Sequence, residues 1–244
     1  MSSYRRIARI VGLLFIVASA TAIAGGSLLL PLAEPDFLVA TAAAEGQVVS
    51  GVLLEMILVM SVVAIAVMMY PILKREHEGL ALGYIGARTL EGVLLLAAAL
   101  SGLLVLSLGQ DSGATGSAGV DALGGSLLAA RDWTYLIGSL VMFGVSALIL
   151  NGLLYRLRLV PSWLIIWGLL GGGLILARGL VEMYGVELAG LMQGVLAAPI
   201  AIQEMVFAIW LIVKGFDTSR LPPIEPARSA SREPDVLVST EAPG

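Results

Sequence analysis

The chain of 244 residues contains no cysteine and one histidine, His77. The first absence excludes disulfides, thiolate metal sites and cysteine nucleophiles. The second excludes a bis-histidine haem or a histidine-cluster metal site within one chain, and it leaves a Ser-His-Asp set with only His77 to draw on. Charge is scarce as well. Only 13% of residues are charged while 58% are hydrophobic, against about 25% and about 45–50% in an ordinary soluble domain. A chain of this size with half the usual charge cannot make a water-facing surface, and its mean hydropathy of +0.96 agrees. The surplus apolar residues must face lipid. The net charge of -4 and a pI near 5.0 argue against a nucleic-acid partner. No His-Glu-x-x-His pair, P-loop or dinucleotide fingerprint is present. No aspartate falls inside an apolar run, so a paired-aspartate intramembrane protease is not supported. Neither a catalytic set, a metal site nor a cofactor is implied.

Six apolar runs remain, each near the twenty residues that a membrane helix needs. They cover roughly Ile10–Leu32, Val49–Leu73, Leu80–Leu108, Trp133–Tyr155, Pro161–Glu182 and Leu191–Val213. They are apolar on all sides with scattered glycine, which suits spanning helices, and none shows the alternation of a barrel strand. The expectation is an all-α, six-helix membrane bundle over residues 1–216. The first run follows Arg5 and Arg6 as a secretory signal would, but it is too long for a signal core and is read as an uncleaved helix. Residues 217–244 hold Pro222, Pro223, Pro226, Pro234 and Pro243 among polar residues. Such a segment cannot bury enough surface to offset its ordering entropy, so a disordered tail is expected.

The connections sort by charge. Arg5, Arg6 and Arg9, Lys74 and Arg75, Arg156 and Arg158, and Lys214 and Arg220 fall on one side. Glu34, Asp36, Glu45, Asp111, Asp121, Asp132 and Glu187 fall on the other, with Arg131 the only base there. By the positive-inside rule both termini are expected in the cytoplasm. The segment Gly109–Asp132, rich in Gly and Ser, reads as a flexible external loop. His77, in the short Glu76-His77-Glu78 turn, reads as a solvated loop residue.

Ionisable residues inside the runs are the candidate functional groups, because an embedded charge costs about 2.5–3.5 kcal/mol on insertion scales. At 1.5 Å per residue, Arg88 lies about 9 Å deep from the basic side, Glu91 about 13 Å and Glu204 about 12 Å. With the amide of Gln203 they form an expected inner polar layer. Glu55 and Arg178, edged by Glu182, form an expected outer layer, with Arg178 pairing Glu55. Four acids against two bases leave at least one carboxylate unpaired, and Glu91 is the candidate. Two uses compete: interhelical clamps worth about 0.6–2 kcal/mol each, or a site for a proton, small ion or solute. An enzyme acting on a lipid-like substrate ranks behind both, since no nucleophile is evident. Asn151 is expected to hydrogen-bond across helices. Pro71 falls at the end of the second run, and a kink at Pro199 is expected to free a carbonyl beside the inner layer. Glycine pairs at four-residue spacing (Gly79 and Gly83, Gly168 and Gly172, Gly190 and Gly194) allow close helix approach, within the bundle or in a homo-oligomer. Besides such a copy, the lipid bilayer is the only partner implied.

Several stretches together resemble the bacterial membrane family catalogued as domain-of-unknown-function family 4386. They are Ala8–Leu14, Tyr70-Pro71-Ile72-Leu73-Lys74, Leu80-Ala81-Leu82 leading to Arg88-x-x-Glu91, Gly152–Arg156 through Val160-Pro161, and Pro199 through Glu204 to Trp210–Gly215. The resemblance spans roughly residues 5–216. It implies a six-helix bacterial inner-membrane protein and brings no catalytic assignment and no ligand. Arg88, Glu91 and Glu204 fall on its matching positions.

Overall fold

A computed structural model describes residues 3–111, 117–217 and 219. The described residues are helical with no strand. Helix α1 covers Ser3–Leu28, followed by a 3-10 turn at Leu30–Ala33 and the short α2, Phe37–Ala43. Helices α3 (Glu45–Leu73) and α4 (Glu78–Gln110) come next. Then α5 (Ala118–Leu136) runs through a π-helical turn, Ile137–Met142, into α6 (Phe143–Leu157) without a break. Helices α7 (Ser162–Met183) and α8 (Gly190–Val213) complete the described helices. Six helices are long and apolar enough to cross a membrane, with Ala118–Leu157 counted as one.

These six close into a ring in which each long helix packs on the next along the chain, and α8 returns to α1. Gly12 makes that closure possible. A Cβ there would stand 2.7 Å from the Ala208 carbonyl oxygen on α8. The ring is filled at its basic end by a core that includes Val11, Ile65, Met69, Leu153, Leu164 and Leu211. Phe15 meets Phe207 edge to face across it, with centroids 5.5 Å apart. Large apolar side chains also crowd the outside: Met60 is 72% exposed and Leu170 64%. A soluble protein does not carry so much apolar surface, whereas lipid accepts it. The described members of the four basic groups meet at one end of the ring. Arg75 lies over the Tyr4 ring at 5.6 Å, Arg156 reaches Glu76 at 3.9 Å, and the Asp217 N–H donates to the Leu159 carbonyl at 2.8 Å.

Two expectations are corrected. Gly109–Asp132 is not a flexible loop; outside 112–116, which are not described, it is mostly helix, and the fourth spanning helix starts at Ala118, not Trp133. At 1.5 Å per residue its 40 residues run about 60 Å, twice the hydrocarbon thickness, so α5 continues beyond the bilayer. There it packs with α2 and the end of α4 around Leu38, Val105 and Leu106. Pro71 lies in the last turn of α3, two residues before its end at Leu73, and Pro199 falls inside α8, both as expected. His77 is exposed as expected, yet it also holds a helix end: its Nδ1 accepts the Leu80 N–H at 3.2 Å and so caps α4. Of the proline-rich segment, all but Asp217 and Ser219 lies outside the described residues.

Candidate functional site

The inner cluster assembles on α4 and α8, which are not neighbours in the ring. Arg88 and Glu91 are one turn apart on α4 and share its inward face. Nη1 of Arg88 donates to both oxygens of Glu91, at 3.2 and 3.1 Å. Nη2 lies 3.6 Å from Oε1 of Glu204 on α8, an ion pair too long for a hydrogen bond. Arg88 is only 2% exposed. Its guanidinium carbon stands 5.2 Å from the ring centre of Phe143 and 5.8 Å from that of Tyr84, so aromatic faces replace water around the cation.

The cluster is incompletely satisfied. Among the described residues, Nε of Arg88 and the hydroxyl of Tyr84 are buried with no hydrogen-bond partner, a state that ordinarily costs about 1–3 kcal/mol per group. A cavity of about 10 Å³ adjoins Arg88, Glu204, Gln203 and Asn151, between Phe15 and Phe207. That volume suffices for about one water. Gln203 points its Nε2 away, to the Leu164 carbonyl of α7 at 3.3 Å. Asn151 does not bond across helices; its Nδ2 donates within α6 to the Ala147 carbonyl at 2.9 Å. Its amide instead sits against Gly168 of α7, in the space that a Cβ there would take. The carbonyl that Pro199 deprives of a helical donor is that of Val195, about 13 Å along the axis from Glu204 and so not beside this layer.

The outer layer is wired differently from expectation. Glu55 does not pair with Arg178. Its partner is Arg131, whose Nη2 donates to Oε1 at 2.6 Å and Nη1 to Oε2 at 3.2 Å. Nη1 of Arg131 also donates to the Ala98 carbonyl at 2.7 Å. Three helices, α3, α4 and α5, are thereby tied at one point, with both side chains buried. Arg178 turns to its own helix and to α8. Its Nε donates to Glu182 at 2.8 Å and its Nη1 to the Gln193 carbonyl at 3.1 Å. Arg131 was legible as the lone base among acidic residues on its side, but reading its segment as a loop concealed that it is embedded.

With Arg131 included, four embedded acids, Glu55, Glu91, Glu182 and Glu204, face three bases, Arg88, Arg131 and Arg178. The surplus carboxylate lies in the inner cluster, where Glu91 and Glu204 share Arg88. Glu91, with two hydrogen bonds, is not the unpaired member; Glu204 is the loosely held one, its side chain 17% exposed.

A closed ring of lipid-compatible helices with charges turned inward defines a multi-pass membrane protein. The chain belongs to the family described as Domain of unknown function (DUF4386), whose model matches residues 10–215. No curated protein and no solved structure matches it.

Proposed function

We propose that this is a bacterial cytoplasmic-membrane protein, with both termini in the cytoplasm, that binds or moves a small cation or proton at Arg88, Glu91 and Glu204. The observation that carries this reading is the charge imbalance: two carboxylates share one buried guanidinium, and Glu204 makes no hydrogen bond to it. A buried site with a surplus negative charge is costly unless something balances it. A proton or a small cation supplies the missing charge beside Glu204, at a cavity that Gln203 and Asn151 also line. The outer pairs read as clamps, since Arg131 is satisfied by three hydrogen bonds and Arg178 by two. The bacterial setting rests on the family resemblance, and the orientation on the basic end.

The test is a stability cycle joined to a flux assay. Wild type, Arg88→Leu, Glu204→Leu and the double variant are unfolded thermally in detergent. Wild-type and Glu204→Gln liposomes are loaded with a pH or sodium gradient. On this reading Glu204→Leu is neutral or stabilising, because it removes the surplus charge, and wild-type liposomes lose a gradient faster than Glu204→Gln liposomes. If each single change instead costs about 3–5 kcal/mol, the double variant recovers and the gradients decay alike, the inner cluster is a clamp.

A further inference from the structure

At the basic end of the ring, the connection from α6 to α7 and the last turn of α8 enclose a pocket of about 470 Å³. The Asp217-to-Leu159 hydrogen bond fastens the two segments to each other. Arg158 and Lys214 line this pocket with Tyr155, Ser162, Trp210 and Asp217. The side chains of Arg158 and Lys214 make no ion pair or hydrogen bond among the described residues, and both are exposed. Two cations stand against one acid there. Arg158 holds its place by an unusual backbone: its φ is +53°, the left-handed region, where it caps α6. Only glycine and, to a lesser degree, asparagine and aspartate visit that region routinely.

The surroundings of this pocket are those of a membrane surface. Trp163, at the start of α7, is 53% exposed on the apolar exterior, and Tyr155 is 51% exposed at the end of α6. Aromatic side chains of this kind settle at headgroup level. The pocket therefore opens where a lipid phosphate lies, with apolar helix surface beneath it for acyl chains. Basic pockets between helices on the cytoplasmic side are the kind of site that takes anionic headgroups. We propose that Arg158 and Lys214 form a binding site for the phosphate of an anionic phospholipid of the surrounding leaflet. This inference is separate from the cation site at Glu204 and stands if that reading fails.

The experiment titrates phosphatidylglycerol and phosphatidylcholine onto the full chain in detergent and reads bound lipid by native mass spectrometry. Each nearby cation is worth about a fivefold gain in affinity for an anionic surface. Phosphatidylglycerol should therefore bind at least about tenfold more tightly than phosphatidylcholine, and the variant Arg158→Asn with Lys214→Gln should lose about 25-fold. Asn tolerates the left-handed backbone, so the α6 cap is kept. Arg158→Lys should keep most of the binding. Arg156→Gln is the control, since Arg156 lies outside the pocket and faces Glu76; it should change affinity less than about twofold. The proposal is overturned if the double variant binds phosphatidylglycerol as wild type does, or if Arg156→Gln loses as much. Displacement of the lipid by millimolar inorganic phosphate would also overturn it, by identifying a soluble anion as the ligand.

Discussion

Arg131 brings its charge to Glu55 at 2.6 Å and donates a further hydrogen bond to the Ala98 carbonyl, so its removal strands a buried carboxylate. Arg131→Leu should cost about 3–5 kcal/mol, and most of that loss should return in the double variant with Glu55→Leu. Arg178→Leu combined with Glu55→Leu should instead be additive within about 0.5 kcal/mol, because those residues share no partner. Thermal unfolding of the five variants in detergent measures both couplings. A large coupling between Arg178 and Glu55 would refute the pairing of Glu55 with Arg131. At this scale the sequence was legible within a helix. The pairs Arg88 with Glu91 and Arg178 with Glu182 follow from spacings of three and four residues. Partners on different helices were legible only where depth left a single choice, as for Arg88 and Glu204. Glu55 was matched to Arg178 because Arg131 fell in a segment read as a loop, and its pairing with Arg131 depends on α5 being helical there.

Gly109 shows how an element can be missed for a physical reason. Glycine lowers helix propensity by about 1 kcal/mol relative to alanine, and a stretch so rich in it reads as loop. Within the fold, that same lack of a side chain lets α4 lie against the backbone of α2. A Cβ on Gly109 would fall on the Leu38 carbonyl, and one on Gly124 would stand 3.1 Å from the Phe37 ring. Packing of α2, α4 and α5 around Leu38 and Val105 therefore outweighs local propensity. Gly125, by contrast, faces open space. Two opposite outcomes follow. Gly109→Val should destabilise by about 1–3 kcal/mol through overpacking and expose Phe37–Ala43 to protease. Gly125→Ala should stabilise by about 0.5–1 kcal/mol, because it only raises helix propensity. Thermal midpoints together with limited proteolysis distinguish the two. If both glycine changes were neutral, α4 would not pack on α2 at Gly109 and residues around Gly125 would not be helical, as a loop reading requires.

Across the whole molecule, the number of spanning helices was legible because it depends only on length and apolar content. Their lateral order was not, since apolar helices of similar composition can be arranged in several rings. The observed closure is selected by close contacts such as Gly12 against Ala208. The direction proposed for the ring across a membrane rests on charge alone. The described members of the four basic groups gather at one end, while Glu34 and Asp121 lie exposed toward the other. Moving those bases across a membrane opposes the bias that sets orientation in short loops. The chain contains no cysteine, so single cysteines report position with no background to remove. In intact bacterial cells from which the outer membrane has been stripped, Glu34→Cys and Asp121→Cys should react with an impermeant maleimide. Glu76→Cys and Ser219→Cys should react only after lysis. The reverse pattern would invert the protein and place its phospholipid pocket in the outer leaflet. A split within either pair would mean that one of the six helices does not span, because Glu34 and Asp121 are separated by two spanning helices, α3 and α4, and must share a side if both cross.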